Sequence, residues 1–117
     1  MLVTSRETRR WVVPRGNPIS GLAPCASAAQ EAFEEAGVRG AAAENPIGRY
    51  RYHKRRKSGA VVPAEVHLFR LAVTEELDDW PERRERERRW FEPRAAAAAV
   101  DEPELKALLL SLEPRLG

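Results

Sequence analysis

The chain reads as a single α/β domain spanning 1–117, and three features of the sequence lead to that class. Short β-prone runs alternate with helix-forming stretches, the pattern of a sheet packed against helices. One stretch, Pro24–Ala36, has an amphipathic wheel, a proline in its first turn and a glycine directly after it. The 117 residues amount to one ordinary domain, and a hydrophobic fraction of 43% supports a core.

Taken in order, Leu2 to Thr4 and Trp11 to Val13 are β-prone, and the polar Ser5–Arg10 segment between them reads as a hairpin connection. Pro14 through Pro24 contains three prolines and two glycines, which predicts a shaped loop. The helix follows over Pro24–Ala36, with Gly37 as its terminator. Gly48 to Lys54 and Val61 to Val73 are predicted strands joined by a turn at Lys57-Ser58-Gly59. Within the second, Leu68 to Val73 is apolar at nearly every position, which predicts burial on both faces. Glu75 to Glu87 is polar, contains Pro81 and reads as a loop, and Arg89 to Phe91 is a short strand. Pro93–Val100 and Glu102–Leu112 complete the chain as helices, each opening beside a proline.

Composition narrows the function. Charged residues make up 32%, yet the net charge is only +2, so global charge selects no partner and local clusters must be read instead. Cys25 is the only cysteine, which rules out an intramolecular disulfide and suits a reducing, cytoplasmic compartment. No apolar run approaches the roughly 20 residues that span a bilayer, and the N-terminus lacks the layout of a secretion signal. One cysteine and two distant histidines do not make a zinc site, and His67 reads as a packed or surface histidine.

On the helical wheel, Leu22, Ala26, Ala29, Phe33 and Ala36 fall on one side, and Glu31, Glu34 and Glu35 on the other. Carboxylates at these spacings lie within one turn of each other. Each like-charged pair about 4 Å apart costs roughly 1 kcal/mol in water and about 4 kcal/mol at an effective dielectric of 20. The helix has no lysine or arginine to offset them. The bland explanation is a solvated acidic face. A hard divalent cation is the chemical alternative, and the glycine-containing loop before the helix brings backbone N–H groups to the same cleft.

The segment Gly16–Val38 resembles a Nudix box: glycine, five residues, glutamate, seven residues, then Arg-Glu-apolar-any-Glu-Glu-any-Gly-apolar. Gly16, Glu31, Glu34, Glu35, Gly37 and Val38 match in register, with Ala32 at the first apolar position. Trp11–Gly16 resembles the strand and turn leading into the box. Val73–Trp80, followed by Arg89-Trp90-Phe91, is similar to the branch of diphosphoinositol and diadenosine polyphosphate hydrolases. The resemblance implies a Nudix α/β/α sandwich with a mixed central sheet. It implies hydrolysis of a diphosphate linkage in a nucleoside polyphosphate or inositol pyrophosphate, using Mg²⁺ or Mn²⁺. Glu31, Glu34 and Glu35 become metal ligands and catalytic residues. A base outside the box would come from Glu82, Glu85 or Glu87.

Two box positions depart from the pattern: Leu22 replaces a glutamate and Gln30 replaces the arginine. A side chain that hydrogen-bonds without charge leaves the carboxylates more loosely oriented. These departures support a rival reading, a non-catalytic domain that binds phosphorylated ligands or RNA. Arg49 to Lys57 carries six lysines or arginines in nine residues. From this cluster Arg51, His53, Lys54 and Arg55 are substrate-binding candidates, joined by Arg15 and Gly16 beside the box. A polyphosphate grip outweighs nucleic acid there, with a solubilising hairpin tip as the plain alternative. Arg83 to Arg89 interleaves five arginines with Glu85 and Glu87, which ion pairing explains. Relatives begin with a strand before the one at Leu2; this chain has no residues for it, so a homodimer through an exposed sheet edge is expected.

Overall fold

The computed structural model describes residues 1–113. Its elements run β1 (Leu2–Thr4), β2 (Trp11–Val12), α1 (Pro24–Ala36), β3 (Val38–Ala42), β4 (Gly48–Arg55), β5 (Val61–Leu68), β6 (Leu71–Glu76), β7 (Arg88–Arg89), α2 (Pro93–Ala99) and α3 (Pro103–Leu110). The α/β class and the bounds of α1 agree with the sequence reading.

Side chains on β1 alternate between faces and so tie two half-cores together. Leu2 joins Val13, Tyr50, Val100, Leu105 and Leu109 on the side of α2 and α3. Its neighbour Val3 joins Val12, Ala32, Ala36 and Val38 on the side of α1. Helices therefore cover both faces of β1, as a sandwich requires.

The sheet differs from expectation. In place of one mixed central sheet there are three small sheets, ordered β2-β1-β7, β3-β6 and β4-β5. Every strand pair in them is antiparallel. Among the described residues no strand bridges the three. Between them lies an apolar cavity of about 500 Å³, bounded by Leu2, Ala36, Val38, Leu71 and Phe91 among others.

The single strand expected over Val61–Val73 is two. The chain changes partner at Phe69-Arg70: β5 pairs with β4 from Gly48↔Leu68 to Arg55↔Val61, and β6 pairs with β3. The switch follows from Pro46 and its neighbours, which separate β3 from β4, while Ala43 N–H donates to Arg70 O and Ile47 N–H to Leu68 O. Because these strands border the cavity, Leu68, Leu71 and Val73 are half-buried and Ala72 is exposed, so burial on both faces is not realised.

The wheel of α1 is also rotated from the predicted face. Ser27, Ala32, Glu35 and Ala36 are buried, while Ala26, Ala29 and Phe33 are half-buried and Leu22 lies exposed before the helix. Arg39 lies over the Phe33 ring at 4.7 Å. A buried glutamate needs partners, and the loop after β6 supplies them.

That loop is bound to the C-terminal end of α1. Helix termini leave carbonyls without intrahelical partners. Here Glu82 N–H donates to Glu34 O, and Leu77 N–H to Gly37 O. Trp80 Nε1 donates to Glu35 O at 3.1 Å, and Arg88 Nη1 to Ala36 O at 2.9 Å. Gly37 is left-handed at φ 66°, and a Cβ there would lie 2.6 Å from the Trp80 ring, so glycine is required on both counts.

Candidate active site

Gly16 lies directly against the acidic helix. A Cβ built on it would be 2.5 and 2.6 Å from the two Glu31 carboxylate oxygens. Any larger residue would push Glu31 away from the loop. Arg15 N–H donates to Glu35 Oε1 at 3.4 Å, so the loop touches two of the three box carboxylates.

Glu31 and Glu35 share a hydrogen bond, and Glu35 is 3% exposed. Burial, then the hydrogen bond to Glu31, push the Glu35 carboxyl up to about 8; Arg86 and the Arg15 N–H oppose the rise. Glu34 is turned differently: its Oε1 accepts from Gln30 Nε2 at 3.2 Å. Gln30 thus reaches along its own helix to Glu34, not back toward Leu22. The structure pairs Glu31 with Glu35 and holds Glu34 one step aside. Among the described residues no three acidic, histidine or cysteine side chains converge as a ready-made metal cage.

Arg86, 10% exposed along its side chain, supplies beside Glu35 a positive charge that α1 itself lacks. It lies 3.6 Å from Glu35 Oε1, donates from Nε to Glu82 Oε1 at 2.8 Å and from Nη1 to Thr4 O at 3.1 Å. Sequence reading missed this role, because a run of alternating arginines and glutamates satisfies itself on paper. Its only local signal is the four-residue spacing of Glu82 and Arg86. Of the three candidate outside bases, Glu82 alone is drawn toward the helix; Glu85 pairs with Arg6 at 3.7 Å and Glu87 with Arg9 at 4.0 Å, both exposed.

Arg15, Gly16, Asn17, Glu31, Glu65 and His67 line a cavity of about 310 Å³ beside the N-terminal half of α1. The Arg15 guanidinium packs 3.8 Å from the Tyr52 ring centroid, donates to the Tyr50 hydroxyl at 3.0 Å and lies 3.7 Å from Glu102. Glu102 also accepts from Arg10 at 2.8 Å, while its buried Oε2 has no partner among the described residues. Lys54 reaches Asn17 Oδ1 at 3.0 Å and so stands beside Gly16. Arg51, His53 and Arg55 share the exposed face of β4 away from this cavity, with Arg51 tied to Glu104 at 3.5 Å. Of the basic hairpin, then, only Lys54 is brought to the loop.

An α/β sandwich that sets an acidic helix against a glycine loop, with a cavity at their junction, defines a class of phosphate-handling domains. The chain belongs to the Nudix family: the NUDIX domain model matches residues 1–111. It is 40% identical over 96 residues to Nudix hydrolase 12, mitochondrial, of Arabidopsis thaliana, covering 78% of this chain and 46% of that protein. To diphosphoinositol polyphosphate phosphohydrolase 3-beta of Bos taurus it is 33% identical over 93 residues, covering 78% and 52%. The chain thus spans about half the length of these curated relatives. Among the described residues no helix is long and apolar enough to cross a membrane.

Proposed function

We propose that this domain hydrolyses a diphosphate linkage in a nucleoside polyphosphate or inositol pyrophosphate, dependent on Mg²⁺ or Mn²⁺. The observation that carries the reading is the Glu31–Glu35 carboxyl pair, pressed against Gly16 at the edge of a cavity. Two neighbouring carboxyl groups are a fitting donor set for a hard cation, and Glu34, released from Gln30, would be the third donor from the same helix. When bound there, such an ion neutralises phosphate charge and lowers the pKa of a coordinated water.

The chain's own residues do the rest. Arg15 and Gly16 place backbone beside the phosphates, and Lys54 adds a cation at Asn17. Gln30 orients Glu34, while Arg86 orients Glu35 and holds Glu82, the candidate base outside the box. Arg51, His53 and Arg55 remain outer substrate contacts in this proposal, reached by a ligand that extends beyond the cavity. A lone Cys25 suits a reducing compartment, cytoplasmic in this proposal, although two of the plant relatives carry mitochondrial names.

A phosphate-release screen over dinucleoside polyphosphates, inositol pyrophosphates and nucleotide sugars tests the reading. Activity is expected with Mg²⁺ or Mn²⁺, abolished by EDTA. Glu34→Gln and Glu35→Gln are expected to lower turnover by on the order of 10²-fold or more. Wild type and variants equally inert, yet still binding ligand, would establish the non-catalytic reading that Leu22 and Gln30 favour.

We further propose a homodimer, since among the described residues β5 and β6 each pair on one side only, leaving strand edges unpaired. Light scattering at high protein concentration is expected to give twice the chain mass of 13.2 kDa. A monomer there removes the dimer from the model.

A further inference from the structure

We propose that Arg15 is a positioning residue for the box carboxylates. Its side chain is clamped by Glu102, Tyr50 and Tyr52 on one side of the loop, which fixes the backbone that meets Glu31 and Glu35 on the other. The inference rests on the reading of Glu31 and Glu35 as metal ligands and names what sets their geometry.

Residues 14–23 form neither helix nor strand, so no ladder of backbone hydrogen bonds fixes their path. Side chains have to do it. Lys54 Nζ donates to Asn17 Oδ1 at 3.0 Å, but that bond is exposed and water competes for it. Ile19 N–H donates to Ser27 Oγ at 2.9 Å, which holds the middle of the loop against the first turn of α1. Arg15 ties the residue next to Gly16 to the opposite side of the domain.

The anchor on that side is buried and charged. The Arg15 guanidinium donates to the Tyr50 hydroxyl at 3.0 Å and packs 3.8 Å from the centre of the Tyr52 ring. Tyr50 is fully buried in the core that holds Leu2 and Leu105. Glu102, the N-cap residue of α3, is 6% exposed and lies 3.7 Å from Arg15 and 2.8 Å from Arg10. A carboxylate this deep is sustained by the two guanidinium groups that face it, and breaking such a set is costly. The N–H of Arg15 reaches the α1 side, to Glu35 Oε1 at 3.4 Å. Gly16, the next residue, has no slack, because a Cβ there would stand 2.5 Å from a Glu31 oxygen. Metal–ligand distances are productive within about 0.2 Å. A loop that slides by about that much therefore disturbs both carboxylates while the fold stays intact.

The test titrates Mn²⁺ into metal-free protein by calorimetry, with thermal melts to show which variants are folded at the working temperature. Glu102→Gln keeps an acceptor for Arg10 and removes the charge beside Arg15. Tyr50→Phe keeps the buried ring and removes the hydroxyl that Arg15 uses. Each is expected to weaken Mn²⁺ binding about tenfold, the usual scale for losing a group that orients a ligand. Neither should weaken it further in an Arg15→Met background, because both act through that side chain. Leu109→Ala, a core substitution on the same side, is expected to lower Tm and leave Mn²⁺ affinity unchanged. Wild-type affinity in both Glu102→Gln and Tyr50→Phe overturns the inference and leaves the metal reading standing. An equal loss in Leu109→Ala also overturns it, since general loosening then explains the effect. Wild type that binds no Mn²⁺ overturns both. The expected pattern in a protein that releases no phosphate upholds the inference and removes hydrolysis alone.

Discussion

At pH 9, above the value of about 8 to which Glu35 is raised, replacing Arg86 with leucine is expected to destabilise the domain by about 3 kcal/mol, the usual cost of stranding one member of a buried charged pair. The guanidinium satisfies Glu35, Glu82 and Thr4 O together, on three separate segments. Removing it leaves Glu35 buried with only the Arg15 N–H and the Glu31 carboxyl as partners. For a domain of this size that is a drop in Tm of more than 10 °C. Part of the loss should return in Arg86→Leu/Glu35→Gln, because the neutral amide no longer needs the cation. A double-mutant cycle on thermal or urea unfolding measures this coupling. Independent, additive effects of the two substitutions would show that Arg86 does not sustain the carboxylate.

That arginine also shows where sequence reading stops. The limits of α1 were legible because they are local: a proline that costs nothing in the first turn, and a glycine that can take φ 66°. The spacing of Gly16 and the three glutamates was legible for the same reason. What escaped depends on partners far along the chain. Val38–Ala42 has little intrinsic strand preference, yet it forms β3 because Leu71–Glu76 pairs with it. The burial of Glu35, which turned the helix away from its predicted face, follows from Arg86, 51 residues later. The wheel located the acidic stripe but not which carboxylates meet: Glu31 and Glu35 do, while Glu34 is held by Gln30. Likewise β-alternation put Arg51 and His53 on one face, and only the fold shows that face turned from the cavity.

The proton held by Glu35 has a measurable consequence for stability. Glu35 is raised from 4.5 to about 8 in the fold, chiefly by burial and then by its bond to Glu31. Between those values the folded protein holds a proton that the unfolded chain has released, so unfolding gains as pH rises. Stability of the metal-free protein is therefore expected to be fully favoured below about 4.5 with respect to this group. It should fall as pH increases, by up to about 1.4 kcal/mol per pH unit, and level off above about 8. In the proposed reading a divalent cation would take the proton's place, so Mg²⁺ should raise Tm little at pH 5 and progressively more toward pH 8. Thermal melts from pH 5 to 9, in EDTA and in excess Mg²⁺, read both effects. Glu35→Gln removes the titration and should flatten the EDTA series while weakening the response to Mg²⁺. If the wild-type and Glu35→Gln series in EDTA follow the same slope, the proton is not held at Glu35, and the case for a cation taking its place loses its physical basis.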